Sequence, residues 1–174
     1  MKKSDINQPP SYFDRYINLV DDIELMDALK QSIAELDNLD LAPLNKIADM
    51  AYAKGKWTVK DVFQHLIDTE RVMNYRALSF GRNDVFQLPG FDQDVYANHV
   101  STQKRNLRNL IAELKMLHRS SIALFKSFDD KALMRSGTMY NSPMSVLGIG
   151  FILAGHQKYH LKIINEKYLP LLNS

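Results

Sequence analysis

The chain has 174 residues, of which 45% are hydrophobic and 24% charged, a balance that suits one folded domain with a sizeable core. A formal net charge of +2 is too small to argue for nucleic acid or an anionic membrane surface as partner. The absence of cysteine excludes disulfides, thiolate metal sites, iron–sulfur clusters and cysteine nucleophiles, so any metal must be held by nitrogen and oxygen.

The chain opens on Met1-Lys2-Lys3-Ser4-Asp5, charged and with no apolar stretch behind it, so it does not read as a signal peptide. No apolar run approaches the ~18 residues of a membrane span. A cytoplasmic protein with no membrane partner is the default expectation, and residues 1–11 read as a flexible segment before a single helical domain.

Hydrophobic periodicity predicts four long helices. The first runs from about Asp22 to Leu39, with Ile23, Met26, Leu29, Ile33 and Leu36 on one face. A connection follows from Asp40 to Lys56, where Pro43 can open a short turn and Gly55 closes it. The second helix has Thr58 as N-cap and Asp61 three residues on, where a carboxylate favours a helix start. It extends to about Phe80 and Gly81 stops it. Residues 81–100, rich in Gly, Pro, Asp and Asn, read as a long loop, a length that signals a functional loop or a crossover. The third helix runs from near Ser101 to about Phe128, and a second connection from Asp129 to Tyr140. The fourth helix has Ser142 as predicted N-cap and Pro143 at its first position, and continues to about Tyr168. Within it, Gly148 and Gly150 read as sites of close helix packing.

His156 and His160 lie four apart on the fourth helix and hence on one face. Both fall inside the stripe of Val146, Ile149, Leu153, Ile163 and Ile164, so both point into the core. Two buried imidazoles need partners, and a shared metal ion is the simplest one; separate hydrogen bonds are the alternative. Helix rise selects the third ligand. If the long loop is a crossover, His65 lies about 10 Å below the top of the bundle, with His160 and His156 at about 12 and 18 Å. Simple up-down-up-down order would put the latter two at about 27 and 21 Å, out of reach. The metal hypothesis therefore requires an up-down-down-up four-helix bundle. The same arithmetic sets His118 about 25 Å deep, as a core histidine. His99, near the start of the third helix, reads as an exposed loop residue, with a substrate contact or a fourth ligand as the alternative. Three ligands leave open positions for water or a substrate donor atom.

The His156-Gln157-Lys158-Tyr159-His160 run has the histidine spacing of H-E-x-x-H zinc proteases, but Gln157 cannot act as the general base. Glu-x-x-His on two helices, the di-iron signature, is missing as well. Glu70 falls on the buried stripe of the second helix and needs a partner, with Arg119 or another arginine the expected one. Asp68 and Thr69 sit one turn from His65 and could orient its ring or touch substrate. Arg76 shares His65's flank but lies three turns deeper. Trp57, Phe91 and Tyr96 are candidates for the mouth of the site, with plain packing as the alternative. No residue earns a catalytic assignment.

Three stretches resemble the DinB-like superfamily of DinB/YfiT-type metalloenzymes. They are Gly55-Lys56-Trp57-Thr58 leading into His65-Leu66-Ile67-Asp68-Thr69-Glu70-Arg71 with Tyr75-Arg76; Leu88-Pro89-Gly90-Phe91-Asp92-Gln93-Asp94 with Tyr96; and Ala154-Gly155-His156 with Tyr159-His160. The resemblance covers about Tyr12 to Tyr168. It implies an up-down-down-up bundle, often dimeric, with a metal held by His65, His156 and His160. Many relatives carry histidine where this chain has Tyr159, a position that is not a ligand in the family pattern. The resemblance leaves the reaction open between a hydrolase using metal-activated water and an S-transferase using a low-molecular-weight thiol. A small-molecule substrate, a homodimer and a divalent ion (zinc or nickel first, manganese or iron also suitable) complete the expectation. The alternative from another class is a non-catalytic bundle that binds metal or a small molecule in a stress response.

Overall fold

The computed structural model describes residues 1–6, 11–84, 88–139 and 141–173. Its elements in chain order are α1 (Asp14–Ile17), α2 (Leu25–Asp37), α3 (Leu41–Lys46), α4 (Val59–Gly81), α5 (Gln93–Asn98), α6 (Leu107–Lys126), α7 (Asp130–Met134), β1 (Ser136–Met139), β2 (Ser142–Ser145) and α8 (Val146–Ile163). The long helices α2, α4, α6 and α8 form a four-helix bundle. No described helix is long and apolar enough to cross a membrane.

Capping residues set the helix starts. At α4, Thr58 takes the N-cap as the sequence predicts, its Oγ1 accepting from the Asp61 backbone N–H at 3.1 Å, and Asp61 Oδ2 accepts from the Thr58 N–H at 3.0 Å to complete a reciprocal box. At α6 the start lies later than Ser101. Asn106 takes the cap, its Oδ1 accepting from Asn109 N–H at 2.8 Å, while Thr102 turns away to donate to Asp61 Oδ1. Asp92 caps α5 inside what reads from sequence as open loop.

The predicted start of the fourth helix is corrected. Ser142 and Pro143 belong to β2, which pairs antiparallel with β1 from Ser136↔Ser145 to Met139↔Ser142. Proline holds the residue before it in extended backbone, which suits a strand as well as a helix cap. Ser145 is the cap instead, its Oγ accepting from Gly148 N–H at 3.0 Å. Past Ile163 a π-helical turn, Ile164–Tyr168, carries the chain on.

The N-terminal residues, expected to be flexible, are tied to the start of α2. The Met1 amino group donates to Glu24 at 2.6 Å, and Leu25 N–H to the Met1 carbonyl at 2.9 Å. Residues 7–10 lie outside the described residues.

Side-chain pairings give the sense of the helices. Along α4 and α6, Gln64 meets Arg105, Glu70 meets His118, Asn74 meets Ser121 and Arg82 meets Ser127, so both numbers rise together. Between α4 and α8 the order reverses, with Trp57 against Tyr168 and His65 against His156. Between α2 and α8 it rises again, from Leu25 at Gly150 to Ser32 at Gln157 and Glu35 at Lys158.

The core has two apolar parts. One gathers Leu25, Leu29, Ala77, Phe125, Met144 and Phe151; the other Leu36, Phe63, Ile67, Leu110, Leu114 and Tyr168. Between them, on all four long helices, the buried positions are polar: Ser32, Thr69, Glu70, His118, Ser121, His156 and Gln157.

Glycines let elements approach the fourth helix. A Cβ on Gly150 would lie 2.6 Å from Leu25, and one on Gly155 would lie 2.0 Å from the Tyr16 carbonyl oxygen. Gly155 is the notch that seats α1 against α8. Helix propensity alone favours Gly→Ala by about 1 kcal/mol. Gly155→Ala will nevertheless destabilise the protein by about 1–3 kcal/mol, because the neighbour is backbone and must shift. The midpoint of chemical unfolding measures this.

Candidate metal centre

His156 and His160 stand one turn apart on α8, and His65 faces them from α4. Their Nε2 atoms converge: His65 to His156 is 3.1 Å and His160 to His156 is 3.0 Å. All three ligand atoms lie within 4.8 Å of one another, with His65 and His156 buried and His160 half-buried. Aromatic rings wall the cluster. Trp57 lies 4.7 Å from the His65 ring, Tyr16 is 5.0 Å from His156 edge to face, and Tyr159 is 5.3 Å from His160. Thr69 Oγ1 stands 3.3 Å from His65 Nδ1 and suits a proton on that nitrogen, which leaves the Nε2 lone pair for the cluster.

Electrostatics keep these rings neutral. Burial pushes His65 down to about 4, and burial followed by the charge of His65 pushes His160 down to about 3. His156 is also held well below its ordinary value, again by burial first and then by the neighbouring His160 and His65. A neutral ring among the three can hand a proton to only one neighbour, whereas a cation between them would engage all three lone pairs. A metal–nitrogen bond of about 2.0–2.1 Å spaces neighbouring ligand nitrogens by about 2.9–3.4 Å, which matches the contacts seen. The donor set therefore fits a divalent ion.

A cleft of about 830 Å³ opens on His160, with Tyr16, Trp57 and Tyr159 among its walls. Phe91 and Tyr96 do not line it. Their rings meet at 4.7 Å and line a small pocket beside His65, together with Gln64 and Asp68. Asp68 accepts from Gln64 at 3.0 Å, and burial raises its carboxyl. His99 is exposed, its Nδ1 2.7 Å from the Val95 carbonyl, apart from the cluster. Arg76 is buried and donates to the Pro89 carbonyl at 3.3 Å.

Glu70 does have a buried partner, but it is not an arginine. Arg119 is exposed, and His118 holds the carboxylate, its Nδ1 2.8 Å from Glu70 Oε2. The opposite nitrogen, His118 Nε2, stands 2.6 Å from Gln157 Oε1. Gln157 Nε2 donates at 2.9 Å to the Ser32 carbonyl, which can only accept, so its Oε1 is the atom that faces His118. His118 then donates from both nitrogens and is an imidazolium. Burial works against that charge, but the hydrogen bonds and charge of Glu70, with Gln157 and Glu35, outweigh it and raise His118 overall.

Sequence reasoning missed Tyr16 and the bridging role of Gln157. The only signal for Tyr16 is its spacing of four from Tyr12 in a segment with no long periodicity. Gln157 reads from sequence only as a missing glutamate.

A cluster of inward-facing imidazoles beside a cleft walled by aromatic and charged side chains, inside a four-helix bundle, defines a candidate metalloprotein. The model of the DinB superfamily matches residues 19–164, and the chain belongs to that superfamily. Among solved structures the chain is similar to YfiT from Bacillus subtilis, described as a probable metal-dependent hydrolase with an unusual four-helix bundle topology. The TM-score is 0.66 at 16% sequence identity, covering 95% of this chain and 89% of that one. No curated protein matches the sequence.

The titrations act in opposite directions. His118 is raised in the fold, so its contribution to stability is complete below about 6.5, the unfolded value, and is lost as pH rises through the folded value. His65 and His160 are depressed, so metal-free protein loses stability as pH falls from about 6.5 toward their folded values. Melting temperature of chelator-treated protein will therefore decline on both sides of neutrality. Glu70→Gln will flatten the alkaline side alone, as a pH series of thermal melts will show.

Proposed function

We propose that the protein is a metal-dependent enzyme that holds a divalent ion on His65, His156 and His160 and acts on a small molecule in the adjoining cleft. The observation that carries this reading is the convergence of three Nε2 atoms, that of His156 lying 3.1 Å from His65 and 3.0 Å from His160, with no other hydrogen-bond partner for any of them among the described residues. Such an ion, when bound, supplies Lewis acidity at the positions the chain leaves open and lowers the pKa of a water or a thiol there. Imidazole ligation suits zinc and nickel first, and manganese or iron as well.

The chain's own residues bind and orient. Thr69 holds the His65 ring, and Trp57, Tyr16 and Tyr159 exclude water from one side of the cluster. The Tyr16 hydroxyl, raised by burial, keeps its proton and is a hydrogen-bond donor facing the cleft.

S-transfer from an external low-molecular-weight thiol is supported by the engagement of the groups that could otherwise serve as a base beside His160. Asp61 lines the cleft, but its oxygens are taken by Thr58 and Thr102, and Gln157 is turned away toward α2 and α6. The chain has no cysteine, so the thiol must come from outside. Hydrolysis, the activity ascribed to YfiT, is supported by a different residue. Asp68, its carboxyl raised by burial, lines the pocket on the other side of His65 and is placed to take a proton.

Elemental analysis of protein purified without chelator will find close to one divalent ion per chain, and His160→Ala will lose it. Equal metal in both would sink the centre and leave a non-catalytic bundle. Thr69→Val will weaken metal binding by about 10–100-fold while Thr69→Ser retains it, as competition with a chromogenic chelator will show. Thiols offered with electrophiles, against esters and amides without thiol, separate the two reactions.

A further inference from the structure

The cleft beside His160 carries charge as well as aromatic surface. Arg15 and Lys56 both line it, and neither forms an ion pair with a described carboxylate. Elsewhere, Lys60, Arg71, Arg105, Lys115 and Lys158 are each neutralised by an acid.

Arg15 is held without being neutralised. Its Nε donates to the Tyr12 carbonyl at 2.9 Å, and its guanidinium lies 4.1 Å from the centre of the Tyr12 ring. These contacts occupy one nitrogen and one face. Both Nη groups remain without a hydrogen-bond partner among the described residues. Two ring contacts separate that guanidinium from the imidazoles: it is 5.9 Å from the Tyr16 ring, which is 5.0 Å from His156. Lys56 enters from the turn before α4, directly ahead of Trp57, whose ring packs on His65.

Two acids also line the cleft, and neither forms an ion pair with Arg15 or Lys56. Asp61 spends both oxygens on Thr58 and Thr102. Asp94 belongs to the first turn of α5, where its backbone N–H donates to Asp92 Oδ1 at 2.9 Å.

We propose that the cleft selects small molecules that carry a carboxylate or phosphate on an apolar body. The Arg15 fork and Lys56 hold the anion, and the rings of Tyr52, Trp57 and Tyr159 take the body. Resting on the metal-centre reading, this sets the reacting atom over the imidazoles, with the anion beyond Tyr16. A planar guanidinium with two free N–H₂ groups matches both oxyanions bidentately.

Trp57 is the single tryptophan of the chain and stands in the cleft, so its fluorescence reports occupancy directly. The test titrates zinc-supplied full-length protein at low salt with 4-phenylbutyrate, with phenyl phosphate, and with the neutral 4-phenylbutanamide. One or both anions will bind about tenfold more tightly than the amide, the tighter arm naming carboxylate or phosphate as the group recognised, and the preference will shrink as salt is added. The double variant Arg15→Gln, Lys56→Gln will bring anion and amide to parity with helical content and bound zinc unchanged; both residues are exposed. Equal binding of anion and amide by the wild type overturns the proposal. So does a preference that survives in the double variant, since the anion then rests on the ion alone. Zinc content of the same samples judges the metal centre separately. Anion preference without stoichiometric zinc upholds this inference and removes the centre, and stoichiometric zinc without preference does the reverse.

Discussion

The structure depends on how its buried polar layer is satisfied. Seven polar side chains cross the middle of the core between two apolar parts, and each must find a partner inside the protein. On one side of the layer the partners are other side chains. Glu70, His118 and Gln157 form a closed run of donors and acceptors that ends on the Ser32 carbonyl and Glu35. On the other side, His156 meets His65 and His160, which flank the layer; the three turn their nitrogens on one another, and no arrangement of protons on neutral rings satisfies all three at once. That side has the donor set for a cation, as the first has Glu70. Burying such a layer costs stability that two apolar cores could otherwise have supplied, which points to a role beyond folding.

Both sides demand the same helix arrangement. His65 reaches the His156–His160 face only if α4 and α8 run in opposite senses, and Glu70 reaches His118 only if α4 and α6 run in the same one. The long connection between α4 and α6 follows, because two helices that point the same way cannot be joined by a short turn. Its length has a second use. It folds α5 over the His65 side of the bundle, where Phe91 and Tyr96 close a small pocket, and the cleft by His160 is left as the open approach.

Much of this was legible from residue spacing. The three- and four-residue steps of Leu29, Ile33 and Leu36, or of Val59, Val62, Phe63 and Leu66, report buried faces directly. The Thr58–Asp61 box is local and needs nothing distant to form. The histidine cluster was legible because helix rise converts residue number into height. What was not legible depends on distant pairing. Ser142-Pro143 and Ser145 are both acceptable helix starts by local chemistry, and only the β1 strand decides between them. The aromatic segment around Tyr16 has too few turns to show a period, and its place is set by the notch at Gly155 on another helix. Glu70 was read as needing an arginine because arginine is the usual partner of a buried carboxylate. The charge came instead from a histidine that burial alone would have neutralised.

Gln157 shows why the protease reading fails for reasons of shape as well as chemistry. An amide cannot act as the general base, and the Gln157 side chain is turned from the histidines. Here it faces α2 and α6, with its oxygen on His118 and its nitrogen on Ser32 and Glu35. A glutamate in its place would bring a third carboxylate into the run of Glu35 and Glu70, opposite a carbonyl that can only accept. Glutamine is the residue that both accepts and donates there without charge. It also leaves His118 one carboxylate partner rather than two, and so keeps the imidazolium paired with Glu70. The residue next to His156 thus ties α8 to the two helices outside the histidine cluster, and the cluster is held by all four helices rather than by two.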